Sequence, residues 1–176
     1  MSQVFELKSV DVQQHNRQAK KALFRITGLF FLIGLPMSMG FTAAFGSYFS
    51  NHFVSDFIGA FIGLVITLTL VNTVMKDQPW LQPLQYSWAL KRAVMKIYNR
   101  LQRIEARAEE GDVQALEVMA FYFNALEQMH QLEGNSHELV EIRGKKREWL
   151  PKFEEAGVNP DLNRLDLELI EQFNPV

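Results

Sequence analysis

The chain has 176 residues with 18 Lys and Arg, 20 Asp and Glu and no cysteine. That length leaves room for one modest soluble domain of roughly 100 residues beside a membrane segment. The missing thiols exclude a disulfide-stapled fold, a Cys-ligated zinc or iron-sulfur centre and a thiol nucleophile. The formal charge of −2 conceals a split, because residues 1–103 carry 11 Lys/Arg against 4 Asp/Glu, whereas residues 104–176 carry 7 against 16.

Residues 1–22 form a polar, basic segment expected in the cytoplasm, with Lys8, Arg17, Lys20 and Lys21, and Arg25 just beyond. Val10 to Phe24 is read as a short helix that continues into an apolar region. From Ile26 to Met75 the chain shows 50 residues with Asp56 as the one acidic side chain and no Lys or Arg. About 20 apolar residues cross a hydrocarbon layer of about 30 Å, so two spans are predicted, at about 23–44 and 57–75, within a transmembrane hairpin over 23–75. Ser50, Asn51 and His52 mark the turn, with His52 and Asp56 placed in it. The second run, Phe57 to Met75, holds 11 Leu, Ile, Val or Phe among 19 residues, worth about −3 to −7 kcal/mol on an insertion scale. Two other readings compete with this one. Small residues from Thr42 to Ser47 suit a signal-peptide cleavage site, but a 25-residue polar head is too long for an n-region. The runs are also longer than a core helix of a soluble bundle requires.

Lys and Arg flank both ends of the apolar region, and the connection from Ser47 to Asp56 has neither. Positive flanks stay in the cytoplasm, which predicts a two-span membrane protein with both termini cytoplasmic. Gly59-Ala60-Phe61-Ile62-Gly63 is a GxxxG, a spacing that lets helix backbones approach closely. Gly59 and Gly63 are therefore the expected helix-packing residues, either for the chain's own two spans or for a homodimer. Pro36 predicts a mid-span kink, with Ser38 placed to re-satisfy the freed backbone. Phe41, Phe45, Phe49, Phe53, Phe57 and Phe61 recur every four residues and are read as interfacial aromatics rather than as the stripe of one continuous helix.

After Pro79 and Pro83, residues 84–176 are predicted as a cytoplasmic helical domain of about four helices. The first is a long helix, Leu84 to Glu110, with the seam Leu90, Val94, Ile97, Leu101 and Ile104. A separate face holds Arg92, Lys96, Arg100, Arg103 and Arg107, read as a solvated surface or a contact with anionic lipid headgroups. The acidic C-terminal half argues against nucleic acid. Tyr86, Trp88, Leu90, Lys91, Ile97, Tyr98 and Arg100, together with the basic head and the two spans, resemble a family of small two-span bacterial inner-membrane proteins labelled only as a domain of unknown function. The resemblance implies a fold and a location, and no activity or functional residue.

Asp112 is the predicted N-cap of a helix Val113 to Glu133, apolar over more than half its circumference and so the expected centre of the bundle. Residues 108–116 look like one piece of a tetratricopeptide-like repeat, but no second copy is found. Asn135 and Glu138 have capping-box spacing for a helix Ser136 to Ala156, which Pro151 should kink or end. Arg143, Lys145, Lys146 and Arg147 read as a solvated clump. Asn159-Pro160 predicts a last helix through Phe173. Glu127-x-x-His130 is half of a di-metal motif without its other half, and no P-loop, GxSxG, GxGxxG or HExxH occurs. No catalytic, metal or cofactor site is expected. The sequence therefore reads as an all-α, non-enzymatic, membrane-anchored interaction or scaffold protein, whose partners are membrane lipids and a second copy or a membrane protein. The alternative is an accessory subunit of a membrane enzyme or transporter acting through the spans.

Overall fold

The computed structural model describes residues 4–174. Among them the chain is mostly helical, with α1 (Val12–Phe45), α2 (His52–Thr73), α3 (Gln82–Tyr98), α4 (Leu101–Glu109), α5 (Val113–Glu133) and α6 (Ser136–Glu155). Two short strands, β1 (Val4–Glu6) and β2 (Arg164–Asp166), complete the described elements together with 3-10 turns. Residues 16–85 form one compact unit, and the described residues before and after them form the other.

In the first unit, α1 continues through Pro36 to Phe45, and a 3-10 turn at Gly46–Tyr48 leads to Asn51. The Asn51 side chain accepts a hydrogen bond from the Phe53 amide and starts α2. A cap at Asn51 satisfies an orphan amide of the first turn, so α2 begins five residues earlier than the predicted span. His52 and Asp56 consequently lie in the helix and not in the turn. The two helices pack antiparallel, because the contacts run in reverse order. A methyl group at Gly63 would come within 2.5 Å of Gly34 Cα, and one at Gly59 within 2.6 Å of Ser38 Cα. Nearer the turn, the Ser38 hydroxyl donates to the Asp56 carbonyl at 2.9 Å and the Thr42 hydroxyl donates to the Asp56 carboxylate. Ser38, expected to repair the backbone freed by Pro36, thus bonds to the other helix.

The second unit is built on α5. Asp112 caps it as the sequence predicts, accepting from the Gln114 and Ala115 amides, and Gly134 ends it in the left-handed region at φ 75°. Eleven of its side chains are buried, among them Val118, Met119, Phe121 and Ala125, and it packs on α4 on one side and α6 on the other. The single long helix predicted over Leu84–Glu110 is instead two. Arg100, at φ −124° and ψ 8°, separates α3 from α4 after Asn99, and Asn is a weak helix former because its side chain competes with the backbone. The bend lets Leu90, Val94 and Ile97 of α3 and Ile104 and Ala108 of α4 enter one core.

Helix α6 runs past Pro151 to Glu155. Proline in a helix interior costs about 3 kcal/mol, but stopping there would withdraw the fully buried Phe153 from the core. Asn135 makes no side-chain cap, so the predicted capping box does not form. The predicted last helix, from Asn159-Pro160 to Phe173, is also absent. In its place β2 pairs antiparallel with β1 in the register Val4 to Asp166, Phe5 to Leu165 and Glu6 to Arg164, and a 3-10 segment occupies Leu169–Phe173. Leu165, Leu167, Ile170 and Phe173 still reach the core, by strand alternation and one 3-10 turn rather than along a helical stripe. The bundle has four helices, but they are α3 to α6 and not the four predicted.

Candidate functional site

Gly59 and Gly63 lie with Ser55 and Thr67 on the buried face of α2, one residue every four. The Thr67 hydroxyl donates to the Gly63 carbonyl at 2.8 Å, which satisfies it inside its own helix. This face is filled by α1 of the same chain through Gly34 and Ser38.

The five residues of the predicted basic face have partners, most of them far along the chain. Lys96 pairs with Glu171 at 2.8 Å, while Arg100 bonds to the Asn174 side chain and approaches Glu171 at 3.6 Å. Arg103 donates to the Phe173 carbonyl at 3.5 Å. Arg107 pairs with Asp112 at 2.8 Å and lies 5.2 Å above the Phe173 ring. Four of the five thus hold the C-terminal segment. Arg92 stacks over the exposed Trp88 ring at 5.4 Å. The Lys96 hydrogen bond, then the Asn174 hydrogen bond and the Lys96 charge, hold the Glu171 carboxyl below its ordinary range. The Lys146 ammonium, set in the supposedly solvated clump, bonds to Asn124 at 2.7 Å and Asp161 at 3.0 Å, and the side chain is only 16% exposed.

Tyr86 fixes the N-terminal segment. Its hydroxyl donates to Gln128 Oε1 and accepts from the Lys8 amide at 2.9 Å, while Gln128 Nε2 donates to the Lys8 carbonyl at 2.7 Å. Burial raises the Tyr86 phenol above its ordinary value. His15 Nε2 lies 2.8 Å from Ser87 Oγ, and burial lowers the imidazole pKa. Burial, with Tyr98 and Glu105 nearby, pushes Tyr122 up to about 12. These shifts arise from packing, and the bonds close on the protein's own backbone and side chains.

Glu127 of the half-motif accepts from Arg143 Nε at 2.8 Å and from Gln131 at 3.2 Å. Among the described residues no three His, Asp or Glu groups stand close enough to hold a metal ion. His130 Nδ1 is buried without a hydrogen-bond partner among the described residues. It borders a trough of about 620 Å³ whose floor is α5 and whose walls come from α3, α4 and α6. The floor is apolar, with Tyr122, Phe123, Leu126 and Met129, and Trp149 stands on the α6 wall. Periodicity could have found the apolar floor, but not the gap above it.

A search of curated proteins and a search of solved structures each returned no match. A family model described as "Protein of unknown function (DUF3087)" matches residues 5–170. The match takes in both apolar helices and nearly all of the helical unit beyond them, and the chain accordingly belongs to the DUF3087 family of proteins of unknown function.

Proposed function

We propose that the protein is a membrane-anchored, non-enzymatic interaction protein: α1 and α2 span a bacterial inner membrane as a hairpin, both termini are cytoplasmic, and the α3–α6 bundle engages a partner. The observation that carries this reading is the inverted burial of α1 and α2. Both helices are long and apolar enough to cross a membrane, and α2 alone, at 22 residues, is about 33 Å long. Only 6% of the most apolar window of α1 and 22% of that of α2 is buried within the chain, whereas a core helix of a soluble protein would be mostly covered. What α2 buries is Ser55, Gly59, Gly63 and Thr67. Small residues at the contact and large apolar ones outside are what helix association in lipid requires.

The orientation rests on Lys and Arg on both flanks and none between Ser47 and Asp56. The interaction role rests on a well-packed bundle with an open trough on its surface. Replacing residues 23–75 by an unrelated two-span anchor tests the assignment of function to the bundle. Partners crosslinked in native membranes should be retained by the exchanged protein. Their loss would assign the interaction to the spans and overturn the reading.

A further inference from the structure

We propose that the trough bounded by α4 and α6, with α5 as its floor, is a docking groove for a basic amphipathic helix of a partner protein. The proposal rests on the interaction reading above and gives the partner its chemistry. The apolar floor of Tyr122, Phe123, Leu126 and Met129 is bordered by Met95 and Tyr98, which are 53% and 58% exposed. Met95 and Tyr98 are large apolar side chains left uncovered beside a core, in a unit where most such residues are buried.

The rims are predominantly acidic. Glu105 and Glu109 stand on the α4 side, and Glu138, Glu141 and Glu148 on the α6 side. Among the described residues the one Lys or Arg lining the trough, Lys145, is already bound to Glu141 at 2.7 Å. Glu109 is approached by Lys152 at 3.7 Å, while Glu105, Glu138 and Glu148 make no ion pair among the described residues. Rows of like charge facing each other across an apolar floor repel, and lysines or arginines on both flanks of an inserted helix relieve that repulsion.

The length of the rim suits a short helix. From Glu138 to Glu148 the α6 rim runs about 15 Å, or close to three turns. An amphipathic helix laying its apolar face in a groove is a general mode of recognition in which anchors at i, i+3, i+4 and i+7 meet the floor. Trp149 stands on the α6 wall of the same trough. The chain also shows how a cation meets this wall: the Lys152 ammonium lies 4.2 Å from the Trp149 ring centroid.

The test uses the full chain in nanodiscs of phosphatidylcholine, whose neutral headgroups do not attract a cationic peptide. The probe is a fluorescein-labelled peptide of about 18 residues, long enough to cover the groove, with leucines on one face, lysines on both flanks and one photo-reactive leucine. One control has the same composition scrambled to break the apolar face, and another has glutamate for every lysine. Fluorescence anisotropy should show saturable binding that weakens as NaCl rises from about 50 to about 500 mM, with both controls at least about tenfold weaker. Glu148→Lys, at an exposed position, and the milder Glu105→Gln should each weaken binding several-fold, and the photo-crosslink should map to the facing sides of α4, α5 and α6.

Equal binding of either control, indifference to both glutamate substitutions, crosslinks on α1 or α2, or no binding at about 100 μM would each overturn the groove. So would a dimer of the chain, seen by sedimentation, that Glu148→Lys dissociates, because the occupant would then be a second copy. If the probe fails while the span exchange still retains partners, the groove falls and the anchored interaction reading stands. If the probe binds but the exchange loses the partners, the opposite holds.

Discussion

The two units use the same apolar side chains in opposite directions. In residues 16–85 the large ones point outward, with Phe24 81% and Leu32 73% exposed, and the buried positions of α2 are Ser, Gly, Gly and Thr. In the α3–α6 unit, large apolar side chains such as Phe121, Ile97 and Ile104 are fully buried. Water makes the second arrangement favourable at roughly 25 cal/mol per Å² of apolar surface removed. That driving force is absent between helices surrounded by lipid, where packing of small residues and interhelical hydrogen bonds hold the contact. On the membrane-anchored reading proposed above, burial reports which solvent each unit is built for.

The largest expected break in this contrast comes from truncating inward and outward residues alike. Phe121→Ala should destabilise the α3–α6 unit by about 3–5 kcal/mol, whereas Leu32→Ala should leave its melting temperature in detergent unchanged. Circular dichroism of the two full-length variants decides this, and a similar loss from both would erase the distinction between the units. Next comes the α1–α2 contact. Gly63→Leu places side-chain atoms where Gly34 Cα already sits, and overpacking of this kind costs about 1–3 kcal/mol. Because the chain has no cysteine, Thr42→Cys and Ser55→Cys, whose hydroxyl oxygens lie 3.0 Å apart, form a reporter disulfide. Its rate of formation should fall sharply in the Gly63→Leu background.

Smaller effects sharpen the account of the second unit. Tyr86→Phe removes the hydroxyl bridging Lys8 and Gln128, which should cost about 1–2 kcal/mol and speed amide exchange at Lys8 ahead of exchange in α5. The smallest concerns Glu171. Its folded carboxyl is held below the ordinary value of 4.5, chiefly by the hydrogen bond to Lys96. A carboxylate depressed on folding contributes stability above its unfolded pKa and loses it as pH falls through the folded one. NMR of the full chain should therefore show Ile170 and Phe173 loosening first as pH drops below about 4.5, with Glu171→Gln loose already at neutral pH. The pair is exposed, so the effect should shrink in high salt.

What could be read from the sequence was what local physics decides. The limits of α5 and its Asp112 cap depend on residues within one turn of each other, and the apolar stretch from Ile26 to Met75 declares itself by composition. The strand pair escaped because Phe5 finds its partner at Leu165, and no local period records a pairing across so much chain. The break after Tyr98 escaped because Leu90, Val94, Ile97 and Ile104 keep a helical period through it. The basic face of α3 and α4 was legible as a face, but its occupants, Glu171, Phe173 and Asn174, lie about seventy residues on and were assigned to a helix that does not form. In the trough the apolar floor was visible as the broad face of α5, while the two acidic rims come from helices whose spacing only the fold sets.

The most direct test of the inverted unit is spin-label accessibility in phospholipid vesicles, with single labels in the full chain at Leu32, Met39 and Val65 on the outward faces and, as a reference, at Val140 on the exposed side of α6. The account predicts high collision with oxygen and low collision with a water-soluble nickel chelate at the first three positions, and the reverse at Val140. Nickel-accessible labels at positions 32, 39 and 65 would contradict it.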